Sequence, residues 1–143
     1  MMESQMLLSK SWTSCPNQLS DIRKNMTDVC KQLSFSEKDI NAIVLAIDEA
    51  CTNIIRYAYN ECRNGEIQIS VTANQQQVIF RLHDFAKHVS KDCLELKPTP
   101  ALKPGGLGVL LMQEVMDSVE FIHTDACKGN ILEMKKDLPK EKI

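Results

Sequence analysis

Apolar residues recur along this chain with two different periods, and the points where the period changes divide it into elements. A weak pattern over the first ten or so residues predicts an edge strand. Pro16 suits the first turn of a helix. Leu19, Ile22, Met26, Val29 and Leu33 follow at steps of three and four, the stripe of an amphipathic helix. Ser36-Glu37-Lys38-Asp39 resembles a capping box with Asp in the place of the more usual Glu. Behind it Ile40, Ile43, Val44, Ile47, Ala50, Cys51, Ile54, Ile55 and Ala58 trace a long apolar face that predicts the central helix. After the turn signal Asn64-Gly65 the period becomes two. Ile67, Ile69 and Val71 alternate with polar residues, and Val78, Phe80 and Leu82 do so again beyond the polar turn 74–77, which predicts a hairpin.

No period is sustained from Phe85 to Pro104, and Pro98, Pro100 and Pro104 exclude an uninterrupted helix there. So long a loop is uncommon in a compact domain and is often a functional lid, placed here at about 85–105. Leu107, Leu110, Leu111, Val115 and Met116 predict another helix. Stretches 119–124 and 131–135 predict a final hairpin turning at Lys128-Gly129-Asn130. The order is strand, two helices, two strands, lid, helix, two strands, with no internal repeat. It predicts a single α+β domain over 1–143, a two-layer sandwich with helices on one face of a mixed, largely antiparallel sheet.

Polar residues inside the apolar patterns carry the candidate chemistry. Glu49 and Asn53 stand four apart within the central helix and so share one face. Glu49 is flanked by Ile47 and Ala50, and Asn53 by Ile54 and Ile55. A buried Asn must find partners, and a partly buried carboxylate is shifted towards the range of a general base. Together they offer one base and one hard oxygen ligand. Asp48 lies one residue round the helix, in a supporting or exposed role. Asp84 ends the second hairpin strand, where a carboxylate is able to accept from an exocyclic amino group at the lip of a pocket; turn chemistry is the simpler account of an Asp there. Gly105, Gly106 and Gly108 place three of the chain's five glycines directly before a helix. Such a cluster permits close backbone approach, and the free N–H groups and dipole of the helix start favour an anion. It is not a P-loop, because no GK[ST] follows. Lys103 could add charge. Acid, metal ligand and phosphate cradle together suggest a magnesium–nucleotide site.

Composition narrows the alternatives. The 143 residues, 43% hydrophobic and 25% charged, fit one soluble domain large enough to bury a core without metal or disulfide staples. A net charge of −2 gives no electrostatic reason to expect DNA or RNA. No segment has the apolar length to cross a bilayer, and the run Met6-Leu7-Leu8 is too short for the core of a signal peptide. The six cysteines form no CxxC pair, and His83, His88 and His123 supply no zinc spacing. The cysteines therefore read as reduced, mostly buried thiols of a cytoplasmic protein.

The run 48–59, Asp48-Glu49-Ala50-Cys51-Thr52-Asn53 and onward to Tyr59, resembles the N box of the GHKL (histidine kinase-like) ATPases. In particular it resembles that of the small anti-sigma-factor serine/threonine kinases of the RsbW type. Asp84-Phe85-Ala86 sits where the first glycine box belongs, and Gly105-Gly106-Leu107-Gly108 with Val109 to Met112 matches the second. Gly129-Asn130-Ile131-Leu132-Glu133-Met134 matches the closing strand, so the likeness spans nearly the whole chain in order. It implies a Bergerat-type fold binding ATP and Mg²⁺. Asn53 would hold the metal and Glu49 would act as catalytic base. Asp84 would bind the adenine amino group, with Ala86 beside it in place of the family's glycine. Gly105, Gly106, Leu107 and Gly108 would meet the phosphates. The activity implied is phosphorylation of an anti-anti-sigma (STAS-domain) partner together with regulation of a sigma factor, by a homodimer. Ala86 is the feature that favours the alternative, a nucleotide-dependent protein-binding module with weak catalysis. The ATPase half of a sensor histidine kinase is disfavoured, since no separate helix pair carries a phosphoacceptor His.

Overall fold

The computed structural model describes residues 4–86, 106–122 and 129–140. Strand β1 (Gln5–Thr13) is followed by a 3-10 turn at Pro16–Gln18 that runs directly into helix α1 (Leu19–Gln32). Helix α2 (Glu37–Asn53) passes into a π-helical turn at Ile54–Ala58. Strands β2 (Glu66–Ala73) and β3 (Gln77–Asp84), helix α3 (Gly106–Val115) and strands β4 (Ser118–Ile122) and β5 (Asn130–Asp137) complete the order. The expected lid beyond Ala86, with Lys103 and Gly105, lies outside the described residues, as does Lys128 of the expected last turn.

The strands form one sheet in the order β1-β2-β3-β5-β4, with all four pairings antiparallel. β1 is an edge, as its weak pattern suggests. Register explains the layering. Ile69 faces Leu82 and Val71 faces Phe80, while Phe80 and Leu82 face Met134 and Leu132 of β5. All these side chains are buried and belong to one core cluster with α1, α2 and α3, whereas Gln68, Ser70 and Thr72 of the opposite parity are only half-buried. The same register pairs Ile67 with Asp84 and Asp84 with Asn130, so two polar residues stand on the core-facing side where the apolar rows end.

Local chemistry sets each boundary. Ser36 Oγ accepts from the Asp39 amide at 3.1 Å and starts α2. Asn74 Oδ1 accepts from the Gln76 and Gln77 amides at 2.7 and 2.9 Å, closing the β2–β3 hairpin. Two ties fasten the helices: Arg23 Nη1 donates to Asp48 Oδ1 at 2.9 Å between α1 and α2, and Trp12 Nε1 donates to Asp21 Oδ2 at 2.7 Å between β1 and α1. Lys136 Nζ donates to the Val115 carbonyl at 2.8 Å, covering an otherwise unpaired acceptor at the end of α3.

Two elements depart from the periodic reading. The central helix is not uniform to Ala58, because after Asn53 it widens and the Tyr59 amide reaches back to the Ile54 carbonyl at 3.0 Å. The wider turn lets the adjacent Ile54 and Ile55 both remain buried. It ends at Asn60 and Glu61, with φ of 47° and 63°, before the expected Asn64-Gly65 turn. Gly65 serves a close approach instead: a Cβ there would lie 2.5 Å from the Tyr59 ring. In α3 the buried positions are Met112 and, just beyond the helix, Met116, with Val109 half-buried, while Leu110 is 53% exposed. The chain's leucines misplace that stripe because methionine fills the core equally well.

Phe80→Ala removes the largest fully buried side chain and is expected to destabilise the fold by about 3–5 kcal/mol. Leu45→Ala, at a position 50% exposed on α2, is expected to stay within about 0.5 kcal/mol of the parent. Urea unfolding curves with a common slope measure both; equal losses would contradict this placement of the core.

Candidate functional site

The site starts at the end of α2. Glu49 and Asn53 are both half-buried, one helical turn apart. Their neighbour Asp48 is engaged by Arg23 and serves to join α1 to α2. Asn53 lines a pocket under the sheet edge together with Tyr57 of the π turn, Asp84 of β3 and Asn130 of β5. Its walls are apolar: Ala50 and Ile54 from the long helix, Leu82 from β3, Val109 and Met112 from α3, and Phe121 from β4. Glu49 is not among the lining residues, although Ala50 beside it is.

Asp84 dominates the electrostatics. It is only 2% exposed, and burial pushes its carboxyl pKa up. Hydrogen bonds from the Asn130 side chain and the Ala86 backbone oppose that shift, and so does the nearby His83. Asn130 Nδ2 donates to Asp84 Oδ1 at 2.9 Å, and the Ala86 amide donates to the same oxygen at 3.2 Å. Gly129 permits this meeting of strands: its φ is +102°, and a Cβ there would lie 1.9 Å from the Asp84 carbonyl oxygen. Tyr59 fixes the other side. Its hydroxyl donates to the Glu66 carbonyl and accepts from the Phe85 amide at 2.7 Å, tying the π turn to the start of β2 and the end of β3.

Of the residues expected from sequence, the fold brings Asn53 and Asp84 into one pocket from elements thirty residues apart. Glu49 lies on the same helix one turn before Asn53. Ala86 joins through its backbone, and its φ is not left-handed, so an alanine meets no backbone strain there. Gly106, Leu107 and Gly108 form the first turn of α3, the helix whose Val109 and Met112 wall the pocket. Their amides therefore belong to the group that has no acceptor within a helix. Gly105 is outside the described residues. Sequence reasoning missed Asn130, Tyr57, Tyr59, Met112 and Phe121. A parity count would have found Asn130, which stands two and four residues before the inward-facing Leu132 and Met134.

Among the described residues there is no cluster of three or more His, Cys, Asp or Glu able to hold a metal ion. An amide oxygen such as that of Asn53 is a hard ligand of the kind magnesium takes when phosphates and water complete its shell. Cys30 and Cys51 are buried free thiols whose pKa values burial raises to about 12, so they are inert as nucleophiles. Cys15 is half-buried and Cys62 exposed, so the expectation of mostly buried thiols holds for only part of the set; both are free. No helix among the described residues is long and apolar enough to cross a membrane.

A family model described as the histidine kinase-like ATPase domain matches residues 13–136. The serine-protein kinase RsbW of Bacillus subtilis (strain 168) is 31% identical over 112 residues, covering 73% of this chain and 70% of that protein. Its counterpart in Bacillus cereus (strain B4264) is 30% identical over 131 residues, covering 85% and 79%. That of Bacillus licheniformis is 28% identical over 137 residues, covering 90% and 83%.

The raised pKa of Asp84 has a definite consequence for stability. The native state keeps this proton to higher pH than the unfolded chain, whose carboxyl titrates near ~3.9. Its contribution is therefore full below that value and is lost as pH rises through the native pKa. Asp84→Asn removes the titration while leaving an acceptor for Asn130. Without nucleotide, the melting temperature of the parent relative to this variant should fall as pH rises from about 4 towards neutrality. Asp21, whose pKa is lowered by Trp12 and Lys10, contributes with the opposite sign in both proteins and cancels in the difference. A difference that stays flat across this range would contradict the assignment.

Proposed function

The chain belongs to the histidine kinase-like ATPase family, and on that footing we propose that it is a Mg–ATP-dependent serine/threonine protein kinase of the RsbW kind. Its substrate in this reading is a Ser or Thr hydroxyl on an anti-anti-sigma protein of the STAS type. The same protein would regulate a sigma factor in the cytoplasm, as a homodimer. The observation that carries the reading is the single pocket in which Asn53, Asp84 and Asn130 meet under apolar walls, with Glu49 one turn away on α2.

The residues fit a nucleotide. A purine needs an apolar slot with a few placed polar groups. Ile54, Leu82, Met112 and Phe121 supply the slot, and Asp84 an acceptor at its inner end. Asp84, fixed through Oδ1 by Asn130 and Ala86, would accept a hydrogen bond from the adenine amino group. Asn53 would ligate Mg²⁺ through its amide oxygen. Backbone N–H groups at Gly105, Gly106, Leu107 and Gly108 would receive the phosphates, aided by the dipole of α3. Bound ATP supplies the γ-phosphoryl group and the ADP leaving group. Glu49 would orient the incoming hydroxyl and take its proton as the oxygen attacks phosphorus, its place one turn from Asn53 keeping base and metal ligand on one rigid helix. The weak-catalysis alternative rests on Ala86, and the unstrained backbone there weighs against it.

Glu49→Ala should retain Mg–ATP affinity while lowering transfer to a purified anti-anti-sigma partner by about 100-fold or more. Asn53→Ala should instead weaken magnesium-dependent nucleotide binding by about tenfold or more. Calorimetric titration and transfer of labelled phosphate separate the two effects. Transfer at the parent rate by both variants would sink the catalytic assignment. A parent protein that melts higher with Mg–ATP yet labels no partner would favour the binding module.

A further inference from the structure

The Asn130 side chain is 4% exposed, faces the pocket beside Asp84, and is used only on one side. Its Nδ2 donates to Asp84 Oδ1 at 2.9 Å. Its Oδ1 is buried with no hydrogen-bond partner, the one such side-chain atom among the described residues. The orientation of the amide follows from this network, since the opposite flip would set a carbonyl oxygen against a carboxylate. A buried acceptor left unmade is unfavourable and calls for an explanation. Here the explanation has a direction, because Asn130 and Asp84 are cross-strand partners and both line the same apolar-walled pocket.

We propose that Asn130 Oδ1 is a base-reading acceptor, which takes a hydrogen bond from the exocyclic amino group of the bound purine alongside Asp84. The inference rests on the nucleotide reading given above and adds a specificity residue to it. An amino group carries two N–H donors, and the inner end of the pocket presents two acceptors, the Asp84 carboxylate and the Asn130 amide oxygen. A 6-oxo purine brings an oxygen to that place and leaves both acceptors unmade. Sites built to pair a donor reject the analogue that lacks it far more strongly than apolar pockets reject a change of size. Gly129 makes the reader possible, because only a residue without Cβ lets β5 start flush against the Asp84 backbone and set Asn130 opposite it.

The test is calorimetric titration of the full chain, with magnesium, using ATP, N6-methyl-ATP and purine riboside triphosphate, which lacks the amino group. The parent should prefer ATP over purine riboside triphosphate by about 100-fold, one factor of ten for each hydrogen bond. In Asn130→Ala that preference should fall by about tenfold, with affinity for purine riboside triphosphate nearly unchanged. The preference for ATP over N6-methyl-ATP, which keeps a single N–H, should also shrink about tenfold, since Asp84 alone needs one donor. If Asn130 only holds Asp84 or an internal water, the N6-methyl preference is the same in both proteins, and the proposal is overturned. Should the alanine variant fail to fold, the parent still decides: a preference for ATP over N6-methyl-ATP below about twofold overturns the proposal. A parent that binds no Mg–nucleotide at all refutes the nucleotide reading itself, a result separate from the loss of base discrimination.

Discussion

Burying a carboxylate is unfavourable unless the surroundings supply donors, and the end of β3 is organised around that requirement. Asp84 is 2% exposed, its pKa is raised, and its Oδ1 collects hydrogen bonds from Asn130 and from the Ala86 amide. Each donor arrives by a different route. Asn130 comes from a strand paired in register, admitted by the missing side chain at Gly129, and Ala86 comes from the chain turning back just past the strand end. Tyr59 then pins the following residue, Phe85, to the π turn of the central helix. The result is a rigid polar spot at the end of a greasy slot, which suits recognition of a small polar edge on a flat apolar ligand.

Helix α2 carries the second half of the design. One of its faces supplies Ile43, Ala46, Ile47, Ala50 and Cys51 to the core, all fully buried, so the helix is locked in position. Glu49 and Asn53 sit at the margin of that face and inherit its rigidity. The Arg23–Asp48 pair fixes the same stretch to α1 from the other side. Groups meant to act on one another are best placed on such an element rather than on a loop. The change to π geometry directly after Asn53 turns Tyr57 into the pocket lining and Tyr59 towards the sheet. Irregularities of this kind occur often where a helix serves a site.

Much of this architecture is legible in periodicity. Alternation along β2 and β3, the three-four stripe of α1 and the polar start of α2 each depend on local burial and local capping, and these are properties of neighbouring residues. Asn53 and Asp84 stand out from sequence because each interrupts an otherwise apolar pattern. The π turn was not legible, since Ile54 and Ile55 fit an ordinary helical face equally well. The buried stripe of α3 was misread because Met112 and Leu110 are both apolar, and only packing against α2 selects between them.

The amino-acid sequence by itself determined the element types, the face each one buries, and the family to which the motifs belong. These follow from side-chain periods and from residue choices made within a few positions of one another. Tertiary structure alone decided that Asn130 meets Asp84, that Tyr59 ties helix to sheet, and that Asn53 shares their pocket while Glu49 stands one turn behind. Those relations depend on strand register and on the close approach allowed at Gly129 and Gly65. They join residues tens of positions apart, and no local period records such a distance.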